Sequence, residues 1–206
     1  IDNTITPYRQ KLIDEMEKVL SYTSKDVTKE SFAMQSSLGN LMADMCLEMS
    51  TAIFKEKTNA SIDFAMFNYG GLRAPIPAGK VTKEQAFKLM PFENELVVVN
   101  LTGKKVIELV NFFIENKKAH PLSKNIALHI KKNEFRLTIK DKKFDKNATY
   151  NILTSDYLQG GGDKMNFFKN PERLTKLDYK VRDAIINYFE RVDTLKTTID
   201  KRIIIE

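Results

Sequence analysis

Two short glycine-rich segments contain the residue types best suited to holding a ligand. The first contains Asn68, Gly70, Gly71 and Arg73, and the second reads Gly-Gly-Gly-Asp over residues 160–163. Glycine reaches backbone conformations closed to other residues and lets main-chain N–H groups face a bound group without Cβ interference. Each segment follows an apolar, strand-like run. The sequence therefore predicts that the two loops form one composite binding site.

The charged residues beside the glycines indicate which ligand such a site would take. The planar guanidinium of Arg73 suits phosphate or carboxylate. The carboxylate of Asp163, directly after Gly161 and Gly162, can accept two hydrogen bonds from a vicinal diol such as a ribose. A single Gly-Gly pair is more often an ordinary turn, so only the two loops together favour a binding site.

Two aromatic residues lie near these loops in the sequence. Phe92 follows Pro91, which favours an extended backbone, and Tyr157 lies three residues before the glycine run. A flat base held between two rings gains roughly 1–3 kcal/mol by stacking. We expect the rings on opposite walls of one cleft, with centroids roughly 7 Å apart. The alternative is that both are ordinary core aromatics.

Composition excludes several other classes of protein. The chain has 206 residues, 42% of them hydrophobic, which fits one domain. Its net charge of +6 comes from scattered lysine pairs, which are typical of solvated faces and do not favour a polynucleotide partner. The single cysteine, Cys46, lies in an apolar run, which predicts a buried thiol and excludes an internal disulfide or a cysteine zinc cluster.

The chain shows no apolar run of about 18 residues, so we expect no membrane-spanning helix. It begins at Ile1 without a methionine, which indicates a processed or trimmed product, and loss of an export signal is one form of such processing.

Hydrolytic chemistry needs a metal cluster, a nucleophile with its base, or paired carboxylates. The only imidazoles are His120 and His129, which lack metal-type spacing; both are interpreted as structural and distant from the glycine loops. No G-x-S-x-G or G-K-[ST] motif occurs. We therefore assign no catalytic and no metal-binding residue to this chain, which is expected to hold an anionic ligand without cleaving it.

Hydrophobic periodicity and capping signals predict a mixed α and β chain. Helices are predicted over 7–22, from Ser37 to about Lys57, after the N-cap Thr102, and over 178–192. Strands are predicted over 62–67, 95–101, 150–154 and 202–205, with a hairpin formed by 126–131 and 134–139.

Six ordered sequence blocks carry a resemblance to a known family. They read LGNLMAD at 38–44, NYGGLR at 68–73, PIPAGKVT at 75–82, PFENEL at 91–96, LTG at 101–103 and YLQGGGD at 157–163. Together they fall within about residues 31–168, and six blocks in order are more specific than any single motif. The chain resembles the 5′-nucleotidase C-terminal domain family.

The resemblance implies one α/β domain over 1–206, a four-layer α/β/β/α sandwich. Residues 7–22 would form its N-terminal helix and 178–205 its C-terminal helix and strand. Such a domain recognises the nucleoside part of a nucleotide. A separate metallophosphoesterase domain, in cis or in trans, holds two divalent metal ions and performs the hydrolysis, so this chain alone is expected to be inactive. The family resemblance also implies an exported protein, located in the periplasm or at the cell surface. One way to hold it at the surface is a lipid anchor on an N-terminal segment that has been removed from this chain.

Carried over by position, the resemblance assigns a role to each site residue. Phe92 and Tyr157 resemble the pair that sandwiches the base, and Asn68 the amide at the base edge. Asp163 resembles the ribose-binding carboxylate, and Arg73 the arginine near the ribose and phosphate. The loops would be shaped by Gly70, Gly71, Gly161 and Gly162.

Two positions depart from the family pattern. Residues 31–37 lack the second arginine that family members often carry there, and Lys164 follows Asp163 where a glycine is usual. The alternative function is a stand-alone nucleoside or nucleotide binder without catalysis.

Overall fold

The computed structural model describes residues 2–132 and 134–206. The helices are α1 (Asp2–Glu17), α2 (Ser37–Thr58), α3 (Lys83–Leu89), α4 (Gly103–Asn116), α5 (Asp156–Gln159) and α6 (Val181–Arg191). The strands are β1 (Val19–Thr23), β2 (Phe64–Ala65), β3 (Gly79–Thr82), β4 (Glu95–Thr102), β5 (Ile126–Lys131), β6 (Glu134–Ile139), β7 (Lys142–Lys143), β8 (Thr149–Ser155), β9 (Arg173–Lys180) and β10 (Ile203–Ile205).

Local capping explains where the two long central helices begin. The Ser36 hydroxyl accepts a hydrogen bond from the Gly39 N–H at the start of α2, and the Thr102 hydroxyl accepts one from the Lys105 N–H at the start of α4. Such bonds satisfy N–H groups that lack partners within the helix. The C-cap of helix α2 is Asn59, which adopts a left-handed conformation. The predicted second helix and the cap at Thr102 are confirmed.

The central sheet has the strand order β2-β8-β4-β9, and a second sheet has the order β10-β5-β6-β7. Strand β4 is antiparallel to both neighbours, whereas β2 runs parallel to β8. The predicted hairpin is confirmed as β5 and β6. Strands β1 and β3 form a separate antiparallel pair.

Alternation along β4 places apolar side chains on both faces of the central sheet. Leu96 and Val98 belong to one apolar core, shared with α2 and α6. Val99 and Leu101 belong to a second core, shared with α4 and with the second sheet. A strand buried on both faces explains the valine-rich run in its sequence. The expected mixed α/β fold with layered helices and sheets is confirmed.

Several elements differ from the sequence predictions. The helix predicted over 7–22 is wrong at its end, because α1 stops at Glu17 and residues 19–23 form β1, where pairing with β3 overrides local helix propensity. The helix predicted over 178–192 begins only at Val181, because residues 178–180 continue β9. Strand β9 and the short helix α3 were not predicted. A polar edge strand such as β9 has no clear apolar alternation to reveal it.

Candidate ligand-binding site

The two glycine loops line one cleft of about 280 Å³. Its walls are formed by Asn68, Gly70, Gly71, Arg73, Phe92, Asn94, Tyr157 and Asp163. The cleft thus brings together every predicted site residue except Gly161 and Gly162, which belong to the second loop but do not line the cleft. Asn94 also lines it, although the sequence reasoning gave Asn94 no role beyond its place in a motif block.

Parallel pairing of β2 and β8 explains why the loops meet. Phe64 of β2 lies beside Ile152 of β8 in parallel register, so both strands end at the same edge of the sheet. The first loop begins at Asn68, just beyond β2, and the second begins after the short helix that follows β8. Ligands in open α/β sheets commonly bind beyond the carboxyl ends of the strands. Residues distant in the sequence therefore form one site.

Asp163 joins the two loops through its side chain. Its Oδ2 accepts a hydrogen bond from Asn68 Nδ2 at 2.7 Å, and its Oδ1 accepts one from the Tyr157 hydroxyl at 2.9 Å. This bond to the carboxylate raises the pKa of Tyr157 above its ordinary value. Asp163 itself has a left-handed backbone, with φ 51°. The carboxylate is exposed and surrounded by donors, as a diol-binding group requires.

Two glycines are required by close approach of neighbouring side chains. A Cβ at Gly162 would lie 2.4 Å from Cε1 of Tyr157, and one at Gly71 would lie 2.8 Å from Oδ1 of Asn68. These contacts are too short for real Cβ atoms, so any larger residue must displace its neighbour. Gly162 thus allows the Tyr157 ring to pack against the second loop, and Gly71 allows the Asn68 amide to lie over the first.

Both aromatic rings are exposed at the cleft rather than buried in a core. Phe92 is 40% exposed and lies on the connection between α3 and β4, and Tyr157 is 46% exposed and lies on α5. The Arg73 guanidinium carbon is 5.9 Å from the centre of the Phe92 ring. The alternative of two ordinary core aromatics is therefore wrong. The 7 Å separation of the rings stays a prediction.

A second cation, Lys29, lies next to the first glycine loop. Its Nζ is 3.9 Å from the centre of the Tyr69 ring and donates a hydrogen bond to the Leu72 carbonyl at 2.7 Å. Partial burial, and then the charge of Arg73, lower the pKa of Lys29. No carboxylate of the described chain lies within salt-bridge distance of Lys29 or Arg73. Two like charges thus lie close together beside the cleft.

His120 also supports the first loop, and the expectation that it lies away from the glycine loops is wrong. Its Nδ1 accepts a hydrogen bond from the Tyr69 N–H at 3.1 Å, and its ring packs near Phe112 and Phe113. An imidazole nitrogen that accepts an N–H must be unprotonated, so the site requires neutral His120. The contact spans 51 residues, and no local pattern in the sequence indicates it.

Burial and the charge of Lys118 lower the pKa of His120 to about 4, against an opposing effect of Asp163. The unfolded chain, with an imidazole pKa near 6.5, takes up this proton before the folded chain does. The contribution of His120 to stability is therefore fully present above pH 6.5 and is lost as the pH falls toward 4. The expected loss in free energy of unfolding is up to about 3 kcal/mol.

His120→Asn tests this expectation, because an asparagine Oδ1 can accept the Tyr69 N–H without titrating. Urea unfolding at pH 7 and pH 4.5 should show a smaller loss of stability in acid for His120→Asn than for the wild type. His129→Gln serves as the control and should retain the wild-type loss. An equal acid loss in the wild type and His120→Asn would contradict the assignment.

Comparisons with known proteins identify the family to which this chain belongs. Residues 18–170 match the family model described as the 5′-nucleotidase, C-terminal domain. The chain belongs to this family, as the ordered motif blocks indicate.

Among curated relatives, the Trifunctional nucleotide phosphoesterase protein YfkN of Bacillus subtilis is 30% identical over 165 residues, covering 71% of this chain and 11% of the relative. Protein UshA of Escherichia coli is 28% identical over 66% of this chain and 26% of its own length. The Cell wall protein Lmo0130 of Listeria monocytogenes is 27% identical over 81% of this chain and 23% of its own length. This chain thus spans about a quarter or less of these relatives.

A solved structure, that of the 5′-nucleotidase precursor from Thermus thermophilus, has the same fold. It superposes with a TM-score of 0.77 at 22% identity, covering 99% of this chain and 42% of the other.

Among residues 2–132 and 134–206, no group of three or more His, Cys, Asp and Glu side chains could hold a metal ion. Across the same ranges, every helix is too short or too polar to cross a membrane.

Proposed function

We propose that this chain is the substrate-recognition domain of a 5′-nucleotidase and binds the base and ribose of a nucleoside 5′-phosphate. The observation that carries the proposal is the convergence of two exposed rings, Phe92 and Tyr157, with the Asp163 carboxylate on one cleft. Exposed aromatics beside a polar, hydrogen-bonding loop match the two chemical faces of a nucleoside.

Each part of the ligand is assigned to a group of matching chemistry. The base stacks between Phe92 and Tyr157, with the Asn68 amide at its edge. The ribose hydroxyls donate to Asp163, in place of the donors that it now takes from Asn68 and Tyr157. Binding therefore exchanges hydrogen bonds within the site for hydrogen bonds to the ligand, which keeps the carboxylate paired throughout.

Titration calorimetry with adenosine and adenine tests this function. The wild-type chain should bind both ligands, and Phe92→Ala should weaken both by about five- to a hundredfold, because each loses the stacking of the base they share. Leu174→Ala, which removes an exposed apolar side chain on β9 outside the cleft lining, is the control and should bind like the wild type. Unchanged affinity in Phe92→Ala would overturn the base assignment.

The cations beside the cleft are assigned to the phosphate. Arg73 lines the cleft, and Lys29 lies close enough for the Arg73 charge to lower its pKa. An anionic ligand would relieve the repulsion between these two cations. Lys29 therefore offers a second positive charge in a chain that lacks the usual arginine in residues 31–37.

Lys29→Gln is expected to weaken AMP binding by roughly five- to twentyfold while leaving adenosine affinity within about twofold, because only AMP carries the phosphate. Calorimetry with the two ligands at low and high salt checks this, since the AMP difference should shrink as salt screens the charges. Lys25→Gln, an exposed lysine outside the cleft lining, is the matched control. Equal weakening of AMP and adenosine would reject the phosphate role of Lys29.

Catalysis is assigned to a separate metallophosphoesterase domain that holds two divalent metal ions, in cis or in trans. Two points support this: the chain covers only 11–26% of the curated relatives named above, and its described residues offer no metal-ligand cluster. Chelator-sensitive release of phosphate from AMP by the 206-residue chain alone would contradict the assignment. The alternative function is that of a stand-alone nucleoside binder. It predicts that the native protein contains no metallophosphoesterase domain.

We further propose that the protein acts outside the cytoplasm, in the periplasm or at the cell surface. One relative is named a cell wall protein, and the family resemblance supports the same location. Fractionation of the native host, with immunodetection of this chain, tests the location. Recovery in the cytoplasmic fraction alone would reject it.

A further inference from the structure

Arg182 is a buried arginine that lies behind the wall of the cleft rather than in it. It is the second residue of α6, is 7% exposed, and is absent from the residues that line the cleft. A buried guanidinium is costly unless its donors are used. The partners of Arg182 therefore indicate what it stabilises.

These partners belong to the connection between α3 and β4, the segment that carries Phe92. Arg182 Nη1 lies 3.4 Å from the carbonyl oxygens of Met90 and Phe92, and Nη2 pairs with the Glu93 carboxylate. Its guanidinium carbon is 4.3 Å from the centre of the Phe87 ring, on α3. The Arg182 side chain thus contacts three of the five residues in this connection, residues 90–94.

Neighbouring contacts fix the same segment from other sides. The Val181 N–H donates to the Asn94 carbonyl at 2.9 Å, and Lys180 Nζ lies 2.5 Å from the other oxygen of Glu93. The hydrogen bonds from Lys180 and Arg182 lower the pKa of Glu93 to about 2. The start of α6 therefore holds the connection, and within the part of the chain that the structure describes only Arg182 reaches the carbonyl of Phe92 itself.

From this geometry we propose that Arg182 is a positioning residue that sets the orientation of Phe92 as one wall of the base site. The proposal rests on the function proposed above, in which Phe92 stacks on the base. Phe92 is 40% exposed, so packing covers its side chain only in part. The contact between Arg182 and the Phe92 carbonyl therefore fixes the orientation of the ring before the ligand binds. A ring that is already oriented lowers the entropic cost of binding.

A double-mutant cycle with adenosine calorimetry tests the proposal. Arg182→Met should weaken adenosine binding by about tenfold in the wild-type background and by less than about twofold in the Phe92→Ala background, since the ring it positions is then absent. General destabilisation would weaken both backgrounds equally, so an equal loss overturns the proposal. Lys180→Met removes the other cation on Glu93 without contacting the Phe92 carbonyl, and it should bind like the wild type.

A ligand-independent measurement separates failure of this inference from failure of the proposed function. With 4-fluorophenylalanine placed at position 92, the 19F resonance should shift and narrow in Arg182→Met as the ring gains freedom, and should stay unchanged in Lys180→Met. If the wild-type protein does not bind adenosine but the 19F signal changes in Arg182→Met as described, the base site is overturned and the positioning role is supported. An unchanged 19F signal in Arg182→Met overturns the positioning role whatever the ligand does.

Arg182→Lys extends both measurements if Arg182→Met fails to fold. A lysine keeps a charge for Glu93 but lacks the fork that spans the carbonyls of Met90 and Phe92. It should therefore reproduce the adenosine loss and the 19F change in part. A folded Arg182→Lys protein with wild-type affinity and a wild-type 19F signal would count against the proposal.

Discussion

Asp163→Ala is expected to weaken adenosine binding on the order of 10- to 100-fold, while adenine affinity falls much less. Loss of a charged hydrogen-bond acceptor costs about 1.5–3 kcal/mol, and only adenosine carries the ribose hydroxyls assigned to this carboxylate. Calorimetry on both ligands gives four affinities. The quantity of interest is the ratio of the two losses, because errors in protein concentration cancel in it.

Hydrogen bonds that Asp163 makes in the unliganded site complicate the interpretation of Asp163→Ala, and a second substitution at the same position separates the effects. Asp163 also accepts hydrogen bonds from Asn68 and Tyr157, so its removal releases two groups that we assign to the base. Asp163→Asn keeps an acceptor for the Tyr157 hydroxyl but removes the charge that a diol prefers. The Asp163→Asn variant should therefore lose affinity for adenosine, while its affinity for adenine changes less than in Asp163→Ala. Lys164→Ala is the neighbouring control, and equal losses for adenine and adenosine in Asp163→Asn would end the ribose assignment.

Gly162→Ala is expected to weaken adenosine and adenine together, by about tenfold or more. The added Cβ would lie 2.4 Å from Cε1 and 2.5 Å from Cζ of the Tyr157 ring, so the ring must leave its position. Its hydroxyl then loses the bond to Asp163, and the base loses one stacking partner, a contact worth roughly 1–3 kcal/mol. Calorimetry with both ligands, together with thermal unfolding of the variant, measures the effect.

The chain offers a matched control two residues away. A Cβ at Gly160 would meet only the Asp156 and Tyr157 carbonyl oxygens, each at 3.5 Å, which is an ordinary contact, and the Gly160 backbone is right-handed. Gly160→Ala should therefore bind both ligands like the wild type. Comparable losses in the two variants would show that any added methyl disturbs this loop, and the specific role of Gly162 would be rejected.

The sequence by itself determined those features that depend on short-range chemistry. Ser36 and Thr102 begin helices because their hydroxyls satisfy nearby N–H groups, and that preference is local. The glycines of the two loops indicate tight loops in the sequence itself, because few other residues fit where the backbone turns in a left-handed conformation or where another group approaches it closely. The order of six motif blocks then identified the family and the cleft residues, as the family match and the lining of the cleft agree.

Tertiary structure alone decided how distant segments meet. Residues 19–23 carry apolar residues that suit a helix, yet pairing with β3 makes them a strand. Parallel register between β2 and β8 brings the two glycine loops to one edge, and no local signal specifies that pairing.

Three supports of the site come from long-range side-chain contacts. Lys29, His120 and Arg182 reach partners 43, 51 and 92 residues away, respectively. A long or polar side chain that acts across the fold leaves no periodicity in its own segment, because its partner is fixed by packing and not by neighbours in the sequence. The sequence thus indicated most of the residues that line the cleft, and only the folded chain showed which distant side chains contact the first glycine loop and the segment that carries Phe92.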